Sequence, residues 1–336
     1  MLAGLDAALL LLGLPAPVRA DRLPEVHGML MVLGFLGTVI ALERAVALRA
    51  PWGYLAPALT GAGALALLTP APLLLGQLLL VQGCALLALV YLALWQRATE
   101  GTVLVQLLGV LLAGCAAALW TVVDVAFLLP WLAGFLVLTI AAERAELARL
   151  AMPHGAAGQL LALAAVLVAA TAASLLWPRT GTRLFGLALA LLVAWLVRHD
   201  VATRLVRSTG LPRFSSAALL LGYGWLAVAA TVWAVGGPPA GVAAYDTVIH
   251  ATFLGFAVSM VMAHAPVILP AVLGVRLPYR PVLWVPLAVL HTGMVVRVAG
   301  HLLPAGAAPV WQAGSVLTVV AVLLLVLTAA FLVVTG

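Results

Sequence analysis

Long apolar runs, interrupted by Pro, Gly and Arg, follow one another along almost the whole chain. Most of them approach or exceed the roughly 20 residues that a helix needs to cross the hydrocarbon core of a bilayer. We predict twelve membrane segments, of which the first is short enough to be a half-helix. Their ranges are 3–18, 24–48, 53–71, 73–96, 102–119, 121–147, 157–176, 182–199, 214–235, 245–273, 281–300 and 308–334. Since helices satisfy their own backbone polar groups in lipid, the pattern predicts an all-α integral membrane protein.

The composition supports this prediction, because 66% of the 336 residues are hydrophobic and only 8% are charged. Soluble domains contain about a quarter charged residues, so an ordinary globular protein is excluded. We expect the lipid bilayer as a partner and no nucleic acid. Arginines in a membrane protein are concentrated in its cytoplasmic loops. With the N-terminus inside, only five of the 16 arginines fall on the outer side: Arg19, Arg22, Arg179, Arg183 and Arg297. This distribution predicts a multi-pass protein of the cell inner (plasma) membrane with both termini cytoplasmic.

A motif on the second predicted segment recurs on the sixth. The stretch 34–45 contains Gly-Phe-Leu, Ile-Ala and Glu-Arg-Ala, and the stretch 134–145 repeats all three at the same spacing. Gly255-Phe256 on the tenth segment is a weaker third copy. We therefore predict one membrane domain, 1–336, built from three four-helix repeats of approximately 1–100, 101–212 and 213–336 in a pseudo-threefold arrangement. Chance similarity among Ala- and Leu-rich helices is the alternative.

Two histidines, His27 and His250, open the second and tenth segments at a similar predicted depth near the outer side. A polar side chain in hydrocarbon is costly and rarely faces lipid. Two inward-facing imidazoles at one depth are the arrangement that bis-histidine ligation of a haem iron requires. Asp246 stands one helical turn before His250, where its carboxylate can fix the orientation of the ring. The alternative is a pair of unrelated packing histidines.

The eleventh segment carries two further candidates. Arg297 closes it at the level of His27 and His250, where a guanidinium suits the carboxylates of a haem; an arginine extending to the interface is the alternative. His291 lies deeper and is a candidate second metal ligand, a proton-relay group or a hydrogen-bonded core histidine, and we favour the last. The other histidines are predicted to be solvated or interfacial: His154 and His199 at inner helix ends and His301 in an outer loop.

A second polar level lies near the predicted inner ends of the repeated helices. Glu43, Glu143 and His264 occupy equivalent positions of the three motif copies. Together they could bind a divalent cation or pass protons. The favoured interpretation is that Glu43 with Arg44, and Glu143 with Arg144, form interfacial ion pairs that fix the helix ends.

Five short stretches resemble the NnrS family, whose members are membrane proteins of nitric oxide metabolism reported to bind haem and copper. They are His27-Gly28-Met29, Gly34-Phe35, His250-Ala251, Gly255-Phe256 and Arg297-Val298. The four-helix triplication resembles the core subunit of haem-copper oxidases and nitric oxide reductases. That resemblance implies that His27 and His250 are the axial ligands of a low-spin haem and that Arg297 holds its propionates.

The chain also departs from these families. It has one histidine, His27, where NnrS proteins have two before the Glu-Met of the second helix. The sixth and seventh segments lack the histidines with which the oxidases hold copper, and Val248 and Thr252 stand where the tenth helix would carry a second one. The usual copper ligand pattern is thus not supported. Only His264 and His291 remain as further metal-ligand candidates within the membrane.

The prediction is a polytopic protein with one six-coordinate haem b, involved in nitric oxide metabolism or respiratory electron transfer. A respiratory or nitric oxide reductase subunit is its expected protein partner, and the sequence leaves enzymatic activity open. The alternatives are a haem-copper-type gas reductase with a second metal site, an ion-coupled transporter, and an assembly subunit without haem.

Overall fold

The computed structural model describes residues 1–18, 20–149, 152–303 and 308–335, which form helices and short connections without any strand. Arg19 lies outside the described residues. The helices are α1 (Leu2–Leu11), α2 (Arg22–Leu48), α3 (Leu55–Leu67), α4 (Leu73–Ala98), α5 (Gly101–Leu119), α6 (Leu129–Leu147), α7 (Ala156–Leu176), α8 (Pro178–His199), α9 (Ala202–Leu205), α10 (Gly210–Gly236), α11 (241–273), α12 (Trp284–Leu302) and α13 (Ala308–Thr335). Single 3₁₀ turns, Pro51–Tyr54, Val125–Leu128 and Pro281–Leu283, precede α3, α6 and α12.

In the described parts of the chain, ten helices are long and apolar enough to cross a membrane. The prediction of an all-helical fold is therefore confirmed, and the helices are those expected of a multi-pass membrane protein in contact with lipid. Helices α1 and α3 are shorter than their predicted segments. Helix α1 ends at Leu11, near Gly13 with its φ of 69° and before two prolines, Pro15 and Pro17. Its ten residues span only about 15 Å.

The chain divides into two compact units. The first comprises Met1–Arg149 and Pro153–Leu175 and contains α1 to α7, in which α4 packs against α3 and α5, and α5 packs against α6. The second contains α8 to α13, in which α10 packs against α8 and α11, and α12 packs along α13. The division into three four-helix repeats stays a prediction.

Both helices that carry the candidate haem ligands change from α- to π-helical winding. In α2, residues Leu30–Gly37 form a π-helical segment, and in α11 the same winding occurs over Ala251–Phe256. The π-helix is rare, occurs mostly as single turns within α-helices, and is frequent at functional sites. Each segment contains one copy of the Gly-Phe motif, whereas the copy in α6 lies in regular α-helix. The π-helical winding therefore distinguishes α2 and α11, which carry His27 and His250, from the motif copy in α6.

Candidate functional site

A buried carboxylate organises the most connected polar cluster of the second unit. Asp246 of α11 is 7% exposed and accepts two hydrogen bonds from the Arg297 guanidinium, Nε to Oδ2 at 2.8 Å and NH2 to Oδ1 at 2.5 Å. Oδ2 also accepts from His301 Nε2 at 2.9 Å and from Trp311 Nε1 at 3.0 Å. Arg297 is only 6% exposed, so this is a buried, bidentate ion pair. We call these residues, together with His250, the Asp246 cluster.

Close packing of α12 against α13 positions two members of this cluster. A Cβ at Gly314 would lie 2.6 Å from the Cα of Arg297, and one at Gly300 would lie 2.5 Å from the backbone nitrogen of Trp311. Gly293, one turn before Arg297 in α12, is in similarly close contact with Leu317 and Thr318 of α13. Small residues let two helix backbones approach closely within a membrane. The glycines thereby bring the Arg297 guanidinium to 5.7 Å from the centre of the Trp311 ring.

The His250 ring is oriented through one of its two nitrogens. Nδ1 lies 2.8 Å from the backbone oxygen of Asp246 and 3.0 Å from its Oδ1, so the carboxylate does contact the ring as the sequence predicted. A proton on Nδ1 is shared between these two acceptors, which leaves the Nε2 lone pair available as a metal ligand. In the described residues no hydrogen bond or ion pair involves Nε2. A fixed Nδ1–H and an open Nε2 are the features of an iron-ligating imidazole.

His27, the other predicted ligand, is partly buried in α2 and belongs to the first unit. It stands three residues before the π-helical segment Leu30–Gly37, whereas His250 directly precedes the segment Ala251–Phe256. Gly28 follows it, and the nearest neighbour of a Cβ there would be Val125 at 3.5 Å, an ordinary contact. Each of the two histidines therefore lies beside a π-helical segment of its own helix.

Both ring nitrogens of His291 are occupied. Nδ1 accepts a hydrogen bond from Trp225 Nε1 at 2.9 Å, and Nε2 lies 3.2 Å from the hydroxyl of Ser259. Because indole only donates, Nδ1 carries no proton, so the neutral ring donates from Nε2 to Ser259. The Ser259 hydroxyl in turn donates to the carbonyl of Gly255 at 2.7 Å. This geometry agrees with the favoured interpretation of His291 as a hydrogen-bonded core histidine, and metal ligation would require it to lose one of these bonds.

The hydrogen bonds that link Gly255, Ser259, His291 and Trp225 also stabilise the π-helical segment of α11. A Cβ at Gly255 would lie 2.5 Å from Cγ and 2.6 Å from Cβ of Trp225. Trp225 can therefore pack across this position only because it is a glycine. The Trp225 indole, which fills this space, donates a hydrogen bond to His291. The other ring nitrogen of His291 is hydrogen-bonded to Ser259 of α11.

The second predicted polar level is divided between the two units. Glu43 and Glu143 belong to the first, whereas His264 belongs to the second, where its Nδ1 lies 2.8 Å from the carbonyl of Met260. Glu43 pairs with the adjacent Arg44, and Arg44 also reaches Glu146 of α6, with 3.6 Å between NH1 and Oε2. For Glu43 and Arg44 the predicted ion pair is present. The predicted ion pair of Glu143 with Arg144 is not formed in the described residues, and Glu143 interacts with Arg44, Arg144 and Glu146 only at longer range.

The sequence analysis missed four members of these networks, Trp225, Ser259, His301 and Trp311, and it placed His301 in the wrong kind of segment. His301 was expected in an outer loop, but α12 continues to Leu302, two residues past the predicted end, and its ring is only 13% exposed. That prediction was wrong. Trp311 and Trp225 are single aromatic residues in apolar helices, and no local pattern distinguishes them from membrane-interface tryptophans. Among the described residues, no group of three or more His, Cys, Asp or Glu side chains could hold a metal ion.

The fold and these clusters define the class: an all-helical protein with membrane-crossing helices and a buried, ion-paired polar cluster in its second unit. The chain belongs to a family described as a domain of unknown function, DUF8744, whose model matches residues 1–334. No curated protein and no solved structure matches the chain. The resemblance to NnrS proteins stays a prediction.

Proposed function

We propose that this protein binds one haem b through His27 and His250 and acts in respiratory electron transfer or nitric oxide metabolism, as its resemblance to NnrS proteins suggests. The observation that carries the proposal is the His250 ring, which Asp246 holds through Nδ1 while Nε2 remains open. The Nδ1 nitrogens of His199 and His264 also lie close to a carbonyl one turn earlier, so the supporting feature at His250 is the additional contact with the Asp246 carboxylate. His27 is the proposed partner because it also adjoins a π-helical segment, the feature that both helices share.

The other residues of the Asp246 cluster support the proposed ligand. Asp246 accepts from Nδ1 of His250, which fixes the ring orientation and the tautomer in which Nε2 would be free to bind iron. Asp246 engages two of the five donor hydrogens of Arg297. The other three remain able to bind a haem carboxylate. Haem with two imidazole ligands supplies one-electron exchange and leaves no open coordination position.

We also propose the finer membrane arrangement. All twelve predicted segments are embedded in the inner (plasma) membrane, with α1 as a half-helix and with both termini cytoplasmic. The three motif copies relate the helices by a pseudo-threefold axis. The distribution of arginine supports the orientation. Reporter fusions at either end, one active only in the cytoplasm and one only outside it, test the orientation directly.

The haem is tested by a pyridine haemochrome spectrum of protein purified from cells supplied with haem. We expect a haem b spectrum at about one haem per chain, low-spin in electron paramagnetic resonance and slow to bind carbon monoxide once reduced. His27→Ala and His250→Ala should each lose most of it. His154→Ala is the matched control, because His154 is exposed, and it should retain the haem. Folded wild-type protein without a Soret band would exclude the proposal.

The same measurements separate the alternatives. A high-spin haem with stoichiometric copper, lost in His264→Ala or His291→Ala, would identify a gas reductase with a second metal site. Absence of haem together with solute uptake into proteoliposomes that depends on Glu143 would identify an ion-coupled transporter. An assembly subunit would show neither property and would copurify with a reductase.

A further inference from the structure

The first unit contains a polar cluster that the proposed haem site does not use. It lies where α2, α4 and α6 come together and comprises Glu43, Arg44, Tyr91, Glu143 and Glu146, which we call the Arg44 cluster. Glu43 and Glu146 each form an ion pair with the Arg44 guanidinium. Arg44 is 11% exposed and Glu43 is 19% exposed, so this pair is largely removed from solvent. The Arg44 cluster therefore has few water molecules to stabilise its charges.

Negative charge exceeds positive charge in this region by one. Three carboxylates, Glu43, Glu143 and Glu146, face two guanidiniums, Arg44 and the buried Arg144. Two further arginines do not belong to the Arg44 cluster: Arg97 donates to the Leu48 carbonyl, and Arg149 pairs with Glu100. An uncompensated carboxylate in apolar surroundings is costly and is normally neutralised by a proton. One carboxyl group of the cluster is therefore expected to bind a proton.

Glu143 is the carboxyl group that fits this role. Both other carboxylates have an ion pair with Arg44, whereas Glu143 has none in the described residues and interacts with Arg44 and Arg144 only at longer range. Glu146, one helical turn away, is 42% exposed and reaches the surrounding medium. A proton can therefore reach Glu143 from the protein surface by way of Glu146.

Tyr91 provides a second and independent observation. Its side chain is 0% exposed, and in the described residues its hydroxyl has no hydrogen-bond partner. The hydroxyl lies in electrostatic contact with Arg44, Glu43, Glu143 and Glu146. Burying an unsatisfied hydroxyl is unfavourable. A phenol both donates and accepts, so Tyr91 can donate to an ionised carboxylate and accept from a protonated one.

We propose that Glu143 and Tyr91 form a proton-binding site, in which Glu143 takes up one proton from water and releases it again. Glu43 and Glu146 hold Arg44, which prevents its guanidinium from pairing permanently with Glu143. The unpartnered Tyr91 hydroxyl of α4 is the group that we assign to hydrogen-bond the Glu143 carboxyl group in either state. The charged groups that face Glu143 are Arg44 and Glu43 from α2, and Arg144 and Glu146 from its own helix. The site is independent of the haem, so either proposal can fail without the other.

Labelling with a hydrophobic carbodiimide tests the site, since this reagent modifies protonated carboxyl groups in apolar surroundings. The full-length protein in liposomes is labelled at about pH 6 and at about pH 9, and modified peptides are quantified by mass spectrometry. We expect Glu143 to be modified at the lower pH and roughly tenfold less at the higher pH. Glu43 and Glu146 should stay unmodified at both. Glu143→Gln should lose the signal, and Glu100→Gln, the matched control, should keep it.

Tyr91→Phe tests the second half of the proposal. A hydrogen bond donated to a carboxylate is stronger than one between neutral groups, so loss of the hydroxyl favours protonated Glu143. Labelling should persist to a pH higher by roughly half to one unit. Glu143 unmodified at the lower pH, or modified equally at both, would overturn the proposal. An unchanged midpoint in folded Tyr91→Phe, judged by gel filtration, would remove Tyr91 from the site.

Discussion

Replacing Asp246 by asparagine should destabilise the second unit more than any other isosteric change to a single residue of the Asp246 cluster. The carboxylate accepts from Arg297 twice and from His301, Trp311 and His250, so every contact it makes is to a donor. An asparagine offers one oxygen, and its NH₂ group would face donors where Asp246 presents an acceptor. Arg297, 6% exposed, would lose its counter-ion.

The magnitude follows from the burial of this ion pair. Removing one partner of a buried pair costs about 3–5 kcal/mol, because the other charge stays buried without compensation. For a chain of this size, such a loss lowers the unfolding temperature by about 5–10 °C. Replacing both partners by apolar residues, Asp246→Leu with Arg297→Met, removes both charges and should be less destabilising than Asp246→Asn alone, although His301 and Trp311 then lose their acceptor.

The assay is thermal unfolding of all variants in one detergent, followed by circular dichroism. Glu25→Gln is the matched control, since Glu25 is an exposed carboxylate at the start of α2, and it should change the midpoint by less than about 1 °C. An unchanged midpoint for Asp246→Asn would refute the reasoning. The reasoning would also be refuted if the double variant lost as much stability as Asp246→Leu and Arg297→Met lose separately, taken together. The two charges interact directly, so the effects of removing them should not add.

Three further substitutions test the packing around the site by the same assay. Gly314→Ala places a methyl group against the backbone of α12, which cannot move aside, and should lower the free energy of unfolding by at least about 2 kcal/mol. The same change at Gly224, where no atom lies within 4 Å of the added methyl group, should cost little. Gly255→Ala should cost about 1–3 kcal/mol and expose the Trp225 indole, visible as a red shift of tryptophan fluorescence. Removing the hydroxyl of Tyr223, which donates to buried Asp200 at 2.6 Å, should cost about 1.5–3 kcal/mol, and a loss within error would contradict that estimate.

Parts of the candidate site were accessible from the sequence because they depend on local spacing. Asp246 and His250 are four residues apart, so an α-helix alone brings them together, as the structure shows. The adjacent Glu43 and Arg44 are paired for the same reason of proximity along the chain. The predicted convergence of His27 with His250 depends on contacts between distant segments and stays a prediction.

The remaining contacts could not be read from any local pattern. Arg297 and Trp311 reach Asp246 from 51 and 65 residues away along the chain. His301 was assigned to a loop because its helix was predicted to end at residue 300. Polar residues near helix ends are ordinary in a membrane protein, where the interface hydrates them. Only the crossing of α11, α12 and α13 decides that these three side chains meet one carboxylate.

Hydropathy by itself determined the elements of this protein, since about twenty consecutive apolar residues in lipid have no alternative to a helix. It could not determine the winding within them, because α- and π-helical winding both satisfy the backbone hydrogen bonds within one segment. Nor could it choose helix neighbours, because lipid tails are as apolar as leucine and burial gives no preference among partners. The neighbours are determined by Gly255, Gly293 and Gly314, because the absence of a side chain at these positions lets particular helices approach closely. They are also determined by the buried polar groups, which require hydrogen-bond partners on adjacent helices.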